Sequence, residues 1–179
     1  MLEELQRIEQ YVEMVLTYLR LDAGSTDYVI KEYSLDDIVR QAVRKYAAQF
    51  IRKKIRLVYE PLNVTVLTDE KWLLFVVEQL LSNALKYTRS GSVSITLEQP
   101  KTLCITDTGI GIAPEDVPRI FEKGYTGYNG RQDKRSSGIG LYLCRRICHN
   151  LHHGISIRSA VGKGTAVLLE LESTVLEVE

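Results

Sequence analysis

Three glycine pairs, each split by a single residue, constrain this chain more than any other feature: Asp107-Thr-Gly-Ile-Gly-Ile112, Ser137-Gly-Ile-Gly-Leu141 and Gly162-Lys-Gly-Thr165. Glycine lets a backbone turn tightly or approach a flat group without a Cβ collision. One such pair would be an ordinary turn, but three in one short chain need a shared explanation. The first follows the strand-like run TLCITDT, so a carboxylate stands at a strand end, where it can accept a hydrogen bond from an exocyclic amine such as that of adenine. The second stands where a loop gives way to a helix, and the free N–H groups and positive dipole end of that helix suit phosphates. Neither GxxxxGK(S/T) nor a GxGxxG after the first strand of a βαβ unit is present, so the nucleotide fold is a different one.

The surrounding pattern supplies the framework. YVIKEYSL reads as a strand, Ser34 as an N-cap, and Asp36 and Asp37 as the first turn of a helix reaching about Phe50. KIRLVYE and NVTVLTD read as strands, and a long helix runs from about Asp69 to Tyr87. SVSITLEQ and TLCITDT resemble adjacent antiparallel strands, Pro114 starts a short helix ending near Phe121, and a further helix begins near Gly140. GISIRSA and TAVLLELE close the chain as two strands joined by the third glycine pair. This order implies an α/β fold: a two-layer α/β sandwich with a mixed sheet under one helical layer. Residues 122–137, rich in glycine and charge and almost without aliphatics, are expected to be a long mobile loop.

On the long helix, Gln79, Asn83, Lys86 and Tyr87 fall on one face at steps of four and three, polar where a core helix would be apolar. Asn83 offers a neutral oxygen to Mg²⁺ and Lys86 a charge to offset phosphate. Taken alone, this stretch reads equally well as a solvated face.

Composition narrows the classes. Lys+Arg and Asp+Glu balance at 23 each, so nothing recommends a nucleic-acid partner. Apolar runs are too short to cross a bilayer, and no signal peptide is apparent, which points to the cytosol. Cys104, Cys144 and Cys148 are an odd set without a CxxC pair, as expected of reduced thiols. Cys144, Cys148, His149, His152 and His153 cluster in sequence, yet no second ligand pair stands at zinc-site spacing, which favours packing cysteines and surface histidines. In the first segment Leu5, Ile8, Val12, Val15 and Leu19 alternate steps of three and four. Such a narrow seam before Asp22-Ala-Gly-Ser-Thr-Asp27 reads as a bundle helix beside a linker rather than a core helix.

Asn83, Asp107-Thr-Gly-Ile-Gly, Phe121, Gly138-Ile-Gly-Leu and Gly162-Lys-Gly-Thr stand in the order of the N box, the F box and the three glycine boxes of sensor histidine kinases, and the chain resembles that family over nearly its whole length. The resemblance implies the Bergerat ATP-binding fold shared with gyrase, Hsp90 and MutL ATPases. It makes Asp107, Gly109, Gly111 and Ile112 the adenine site and Asn83 the Mg²⁺ ligand, with Gln79 and Lys86 as catalytic candidates beside it. Residues 122–137 become an ATP lid. Tyr87, Phe121, Lys123, Tyr125, Arg131, Ser137, Gly138, Ile139, Gly140, Leu141 and Thr165 complete the implied nucleotide contacts. Many such kinases carry an Arg just after the F-box aromatic; this chain has Thr126, leaving Lys123, Arg131 or Lys134 to offset phosphate.

FEKGYTGYNGR and IEQYVEMVLTYLRL further resemble the Gram-positive intramembrane-sensing kinases that respond to cell-envelope antibiotics. Residues 1–22 would be the second helix of the dimerisation and phosphotransfer hairpin, 23–28 a linker, 29–173 the ATP-binding catalytic domain and 174–179 a tail. No histidine follows an acceptor-box pattern, so the chain is expected to bind MgATP without autophosphorylating. Met1 would then mark a boundary within a longer membrane-bound kinase, of which this is a cytoplasmic portion. A homodimer through the helical bundle, a response regulator and a transporter-type sensor are the implied partners. Two other readings stay open. ATP-hydrolysing relatives place a Glu four residues before the metal-binding Asn, where this chain has Gln79, which is no general base, and Glu78 is rotated by about 100°. A nucleotide-gated pseudokinase or interaction module is the other.

Overall fold

In the computed structural model, which describes residues 1–24, 27–98, 100–127 and 137–172, the elements follow the sequence pattern closely. They are α1 (Leu2–Asp22), β1 (Lys31–Ser34), α2 (Leu35–Lys53), β2 (Arg56–Tyr59), β3 (Thr65–Thr68), α3 (Glu70–Tyr87), β4 (Ser92–Glu98), β5 (Thr102–Asp107), α4 (Gly140–Asn150), β6 (Gly154–Ala160) and β7 (Gly164–Glu170). Five strands form a mixed sheet in the order β2-β4-β5-β7-β6, with β2–β4 parallel and the other pairs antiparallel. β1 and β3 make a separate antiparallel ribbon. Helix α3 packs against both α2 and α4, giving the single helical layer expected.

The helices begin where capping chemistry allows. Ser34 accepts from Asp37 N at 3.4 Å to start α2, and Asp69 accepts from Trp72 N at 3.0 Å to start α3, each cap worth about 1 kcal/mol. The other oxygen of Asp69 takes Val29 N at 2.7 Å, fastening the segment before β1 to the start of α3. α3 buries Leu73, Val76, Val77, Leu80, Leu81, Ala84 and Leu85 at helical spacing. Its C-terminal carbonyls are met by Lys53, whose ammonium donates to Leu85 O and, at 3.2 Å, to Thr88 O, a cation placed at the negative end of the helix dipole.

Cross-strand register decides which side chains share the sheet face under the helices. Directly opposed residues lie on the same face. Ile95, Ile105 and Val167 form one row, and Leu97, Leu103, Leu169 and Ile155 another. The row at the end of the sheet is Val93, Asp107, Thr165 and Ser159. An apolar face therefore turns polar at one edge, and that edge borders the first and third glycine pairs.

Helix α1 lies against the helical layer through Met14, Tyr18 and the buried Leu21. Four of the five seam residues face solvent instead, Leu5 and Ile8 at 59% exposure, Leu19 at 55% and Val12 at 48%, where a core helix would bury them, and Val15 is half-buried. Ion pairs accompany it, among them Glu3–Arg52 at 3.3 Å, Glu13–Lys45 at 3.7 Å and Asp22–Arg146 at 3.4 Å, and pairs this exposed hold position weakly.

The segment expected to be a helix from Pro114 to Phe121 is instead a chain of tight turns around one 3-10 turn, Val117–Arg119. Val117 N still reaches Ala113 O at 3.2 Å, but Pro118 has no N–H with which to continue an α ladder, so the following bonds close over three residues. Cys144 and Cys148 are fully buried, while His149 and His152 are exposed. The sequence cluster is thereby split between core and surface.

Candidate nucleotide site

Asp107, the last residue of β5, is 8% exposed. Its Oδ1 accepts from Gly109 N at 2.8 Å, and the N–H of Thr165 also donates to the carboxylate. Burial raises its pKa above the ordinary value, and the two backbone donors pull the other way. A buried acceptor held by two donors is preorganised to take one more hydrogen bond from a ligand.

Glycine is required around it for lack of space. A Cβ on Gly109 would lie 2.3 Å from Tyr87 O, and one on Gly111 would lie 2.0 Å from Ala160 O, at a residue whose φ is +73°. Ile110 N donates to Tyr87 O at 3.1 Å, Gly162 N to Ile110 O at 2.8 Å and Ile112 N to Ser159 Oγ at 2.8 Å. The first glycine pair is thus sewn to the end of α3 on one side and to the β6–β7 turn on the other. A Cβ on Gly164 would meet the backbone carbonyl oxygen of Asp107 at 2.0 Å, so the third pair presses on the main chain of the same residue.

The polar face of α3 meets the second glycine pair. Gln79, Asn83, Lys86 and Tyr87 are all half-buried. Gln79 Oε1 stands 3.2 Å from where a Cβ on Gly140 would be, placing this amide at the start of α4, whose first N–H groups have no intrahelical partner. Asn83 lies one turn further along the same face, and the Lys86 ammonium sits 5.3 Å from the Tyr87 ring centroid. Glu78 points elsewhere, its carboxylate 2.9 Å from the Lys45 ammonium.

The loop between Phe121 and Gly140 is pinched at its base, where Gly124 N donates to Gly138 O at 2.8 Å. Ser137 Oγ accepts from Ile139 N at 3.3 Å and contacts Met14 Sδ at 3.1 Å. Ile139 and Leu141 flank Gly140, half-buried against the core. Arg145 stacks 5.7 Å over the Phe121 ring. Two expected phosphate or nucleotide contacts are engaged otherwise. Lys123 bonds the Tyr18 hydroxyl and sits 4.5 Å over its ring, and Tyr125 bonds Asp116 beneath Arg119. Arg131 and Lys134 lie outside the described residues.

Sequence reading missed Ser159, Met14 and Tyr18. Ser159 looked like one polar step of a strand, and only its register against Thr165 could have singled it out. The two α1 residues gave no signal, because nothing in a helix seam shows what its other face touches.

The sequence model of the histidine kinase-, DNA gyrase B-, and HSP90-like ATPase family matches residues 68–175. A sensor histidine kinase of Bacillus subtilis, YxdK, is 36% identical over 174 residues, covering 92% of this chain and 53% of its own length. The sensor protein BceS of Halalkalibacterium halodurans is 35% identical over 169 residues, covering 93% and 51%. The chain thus spans about half the length of these relatives. Among solved structures, full-length ShkA in complex with AMPPNP aligns with a TM-score of 0.75 at 25% identity, covering 88% of this chain and 34% of that one. The catalytic domain of the histidine kinase ThkA aligns at 0.69 and 20% identity, covering 80% and 95%, a likeness of fold. With its first and third glycine loops closing on one buried aspartate in the same fold, the chain belongs to the histidine kinase-, DNA gyrase B- and HSP90-like ATPase family, and its relatives are sensor histidine kinases.

Proposed function

We propose that this chain is the MgATP-binding catalytic part of a two-component sensor histidine kinase and serves a phosphoacceptor histidine on another helix of a longer, membrane-anchored protein. The observation that carries the reading is the buried Asp107 carboxylate, held by Gly109 and Thr165 at the polar end of an apolar sheet face. The adenine amine donates to Asp107. The ring lies along the Gly109–Gly111 turn, where no Cβ intervenes, and the phosphates extend toward Gly138–Leu141 at the start of α4.

The donor set suits Mg²⁺ delivered with the nucleotide. Among the described residues no three His, Cys, Asp or Glu side chains gather into a metal cage, and Mg²⁺ characteristically takes one or two protein ligands together with substrate phosphates and water. Asn83 would be the protein ligand, with the Gln79 amide one turn away beside Gly140. Bound there, the metal would neutralise charge on the phosphates. The chain's own part is positioning: Asp107 fixes the base, α4 orients the triphosphate and Lys86 adds positive charge, as phosphoryl transfer chiefly requires.

Transfer over hydrolysis is favoured by Gln79, which stands where a water-activating Glu would be needed, and by Glu78, which is committed to Lys45. Autophosphorylation within this chain is disfavoured by distance. His149 lies in the last turn of the eleven-residue α4 and His152 just beyond it, about 15 Å from its phosphate-binding start, and His153 is 6% exposed. The exposed seam of α1 fits the second helix of a dimerisation hairpin, with residues 23–28 as linker and a response regulator downstream. A transporter-type sensor as upstream partner rests on the family resemblance alone.

Calorimetric titration with a non-hydrolysable ATP analogue, with and without Mg²⁺, tests the reading. One-to-one, Mg²⁺-enhanced binding without label transfer to the chain from radiolabelled ATP is the expected result. A folded sample that binds no nucleotide overturns it.

A further inference from the structure

Ser159 is the polar side chain of the sheet's end row beyond Asp107 and Thr165, and its hydrogen bonds determine more than local stability. Its Oγ donates to Gly164 O at 2.9 Å, accepts from Ile112 N at 2.8 Å and lies 2.8 Å from Thr165 Oγ1. A hydroxyl has one proton and two lone pairs. The proton is committed to Gly164, because a carbonyl only accepts. Toward Thr165, Ser159 is therefore the acceptor, and the Thr165 hydroxyl donates. What Thr165 has left to present to a ligand beside Asp107 is lone pairs.

We propose that Ser159 is the positioning residue that sets purine selectivity at this site, by holding Thr165 as a hydrogen-bond acceptor next to the Asp107 carboxylate. This rests on the nucleotide reading above and deepens it. The exocyclic 6-amino group has two hydrogens, one for each of two acceptors set side by side, whereas a 6-oxo group at the same place has none and its oxygen would face lone pairs without a proton between them. Ser159 also ties Ile112 to the β6–β7 turn, so the same oxygen joins the two glycine loops that border the base. Without it, the Thr165 hydroxyl is free to rotate and donate outward, and the penalty against a 6-oxo base falls.

The test is the affinity of the chain for MgATP and for inosine triphosphate, which carries the 6-oxo base on the same ribose and phosphates. The unaltered chain prefers ATP. Ser159→Ala should weaken ATP about tenfold, the equivalent of one neutral hydrogen bond, while inosine triphosphate binding holds or improves, so that the ratio narrows. Ser159→Thr, which restores the hydroxyl, should restore the ratio. A role confined to folding would lower both affinities together with the melting temperature. If Ser159→Ala does not fold, Ser159→Cys, which keeps the volume and weakens the hydrogen bonds, is measured in the same way. A wild-type ratio in the folded variant overturns the proposal. Binding of neither nucleotide by the unaltered chain overturns the nucleotide reading, and the proposal with it.

Discussion

Replacing Asp107 by Asn leaves shape unchanged and removes the charge and one acceptor oxygen. In the native site one carboxylate oxygen takes Gly109 N at 2.8 Å and the group also takes Thr165 N. An amide has one acceptor oxygen and an NH₂ that only donates. If that oxygen stays on Gly109, the NH₂ faces either the Thr165 N–H or the incoming adenine amine, donor against donor. The binding loss is that of a hydrogen bond to a charged acceptor, about 1.5–3 kcal/mol, or about 10- to 150-fold at 1.4 kcal/mol per decade. Stability should change far less, because burial already disfavours the charged form and its removal offsets the poorly matched N–H. A net change within about 1 kcal/mol corresponds to a melting shift of no more than about 4 °C in a domain of this size. Calorimetry with a non-hydrolysable ATP analogue reads the first quantity and thermal melting the second. Competition by tripolyphosphate, which lacks the base, should be unaffected. A folded Asp107→Asn variant with native affinity would refute the assignment.

Asn83→Ala should remove chiefly the Mg²⁺-dependent part of nucleotide affinity; equal losses measured with and without Mg²⁺ would contradict a metal-ligand role. Gly109→Ala forces a Cβ to 2.3 Å from Tyr87 O, a backbone atom that cannot swing aside, so nucleotide binding should be lost together with about 2 kcal/mol or more of stability in urea titrations; a variant of native stability would contradict that packing. Burial, reinforced by the nearby His152 charge, pushes His153 down to about 4 from 6.5. The folded state thus resists a proton that the unfolded chain accepts, and stability, full above pH 6.5, should fall by up to about 3 kcal/mol as pH drops through 4. Urea midpoints should show that slope in the native chain and a shallower one in His153→Gln.

The helical layer was legible because burial repeats at helical spacing, and the sheet because alternation and glycine turns bound each strand. The glycine pairs were legible as a nucleotide signature because backbone proximity demands glycine whatever the neighbours are. Lys123 was expected at the phosphates and lies on Tyr18 instead, since a long flexible cation goes to whichever aromatic face or hydroxyl the fold brings near. The turn at Val117–Arg119 follows from Pro118, visible in the sequence, yet the neighbouring Pro114 suggested a helix start more strongly.

Residue types and spacing by themselves determined the layers, the three backbone turns and the polar face of α3, because these are local properties with fixed periods. Tertiary structure alone decided that the first and third turns meet at Asp107, that Gln79 stands beside Gly140 and that Val93, Asp107, Thr165 and Ser159 form one row. Those depend on strand register between segments up to seventy residues apart, where a slip of one residue would turn Asp107 to the opposite face of the sheet.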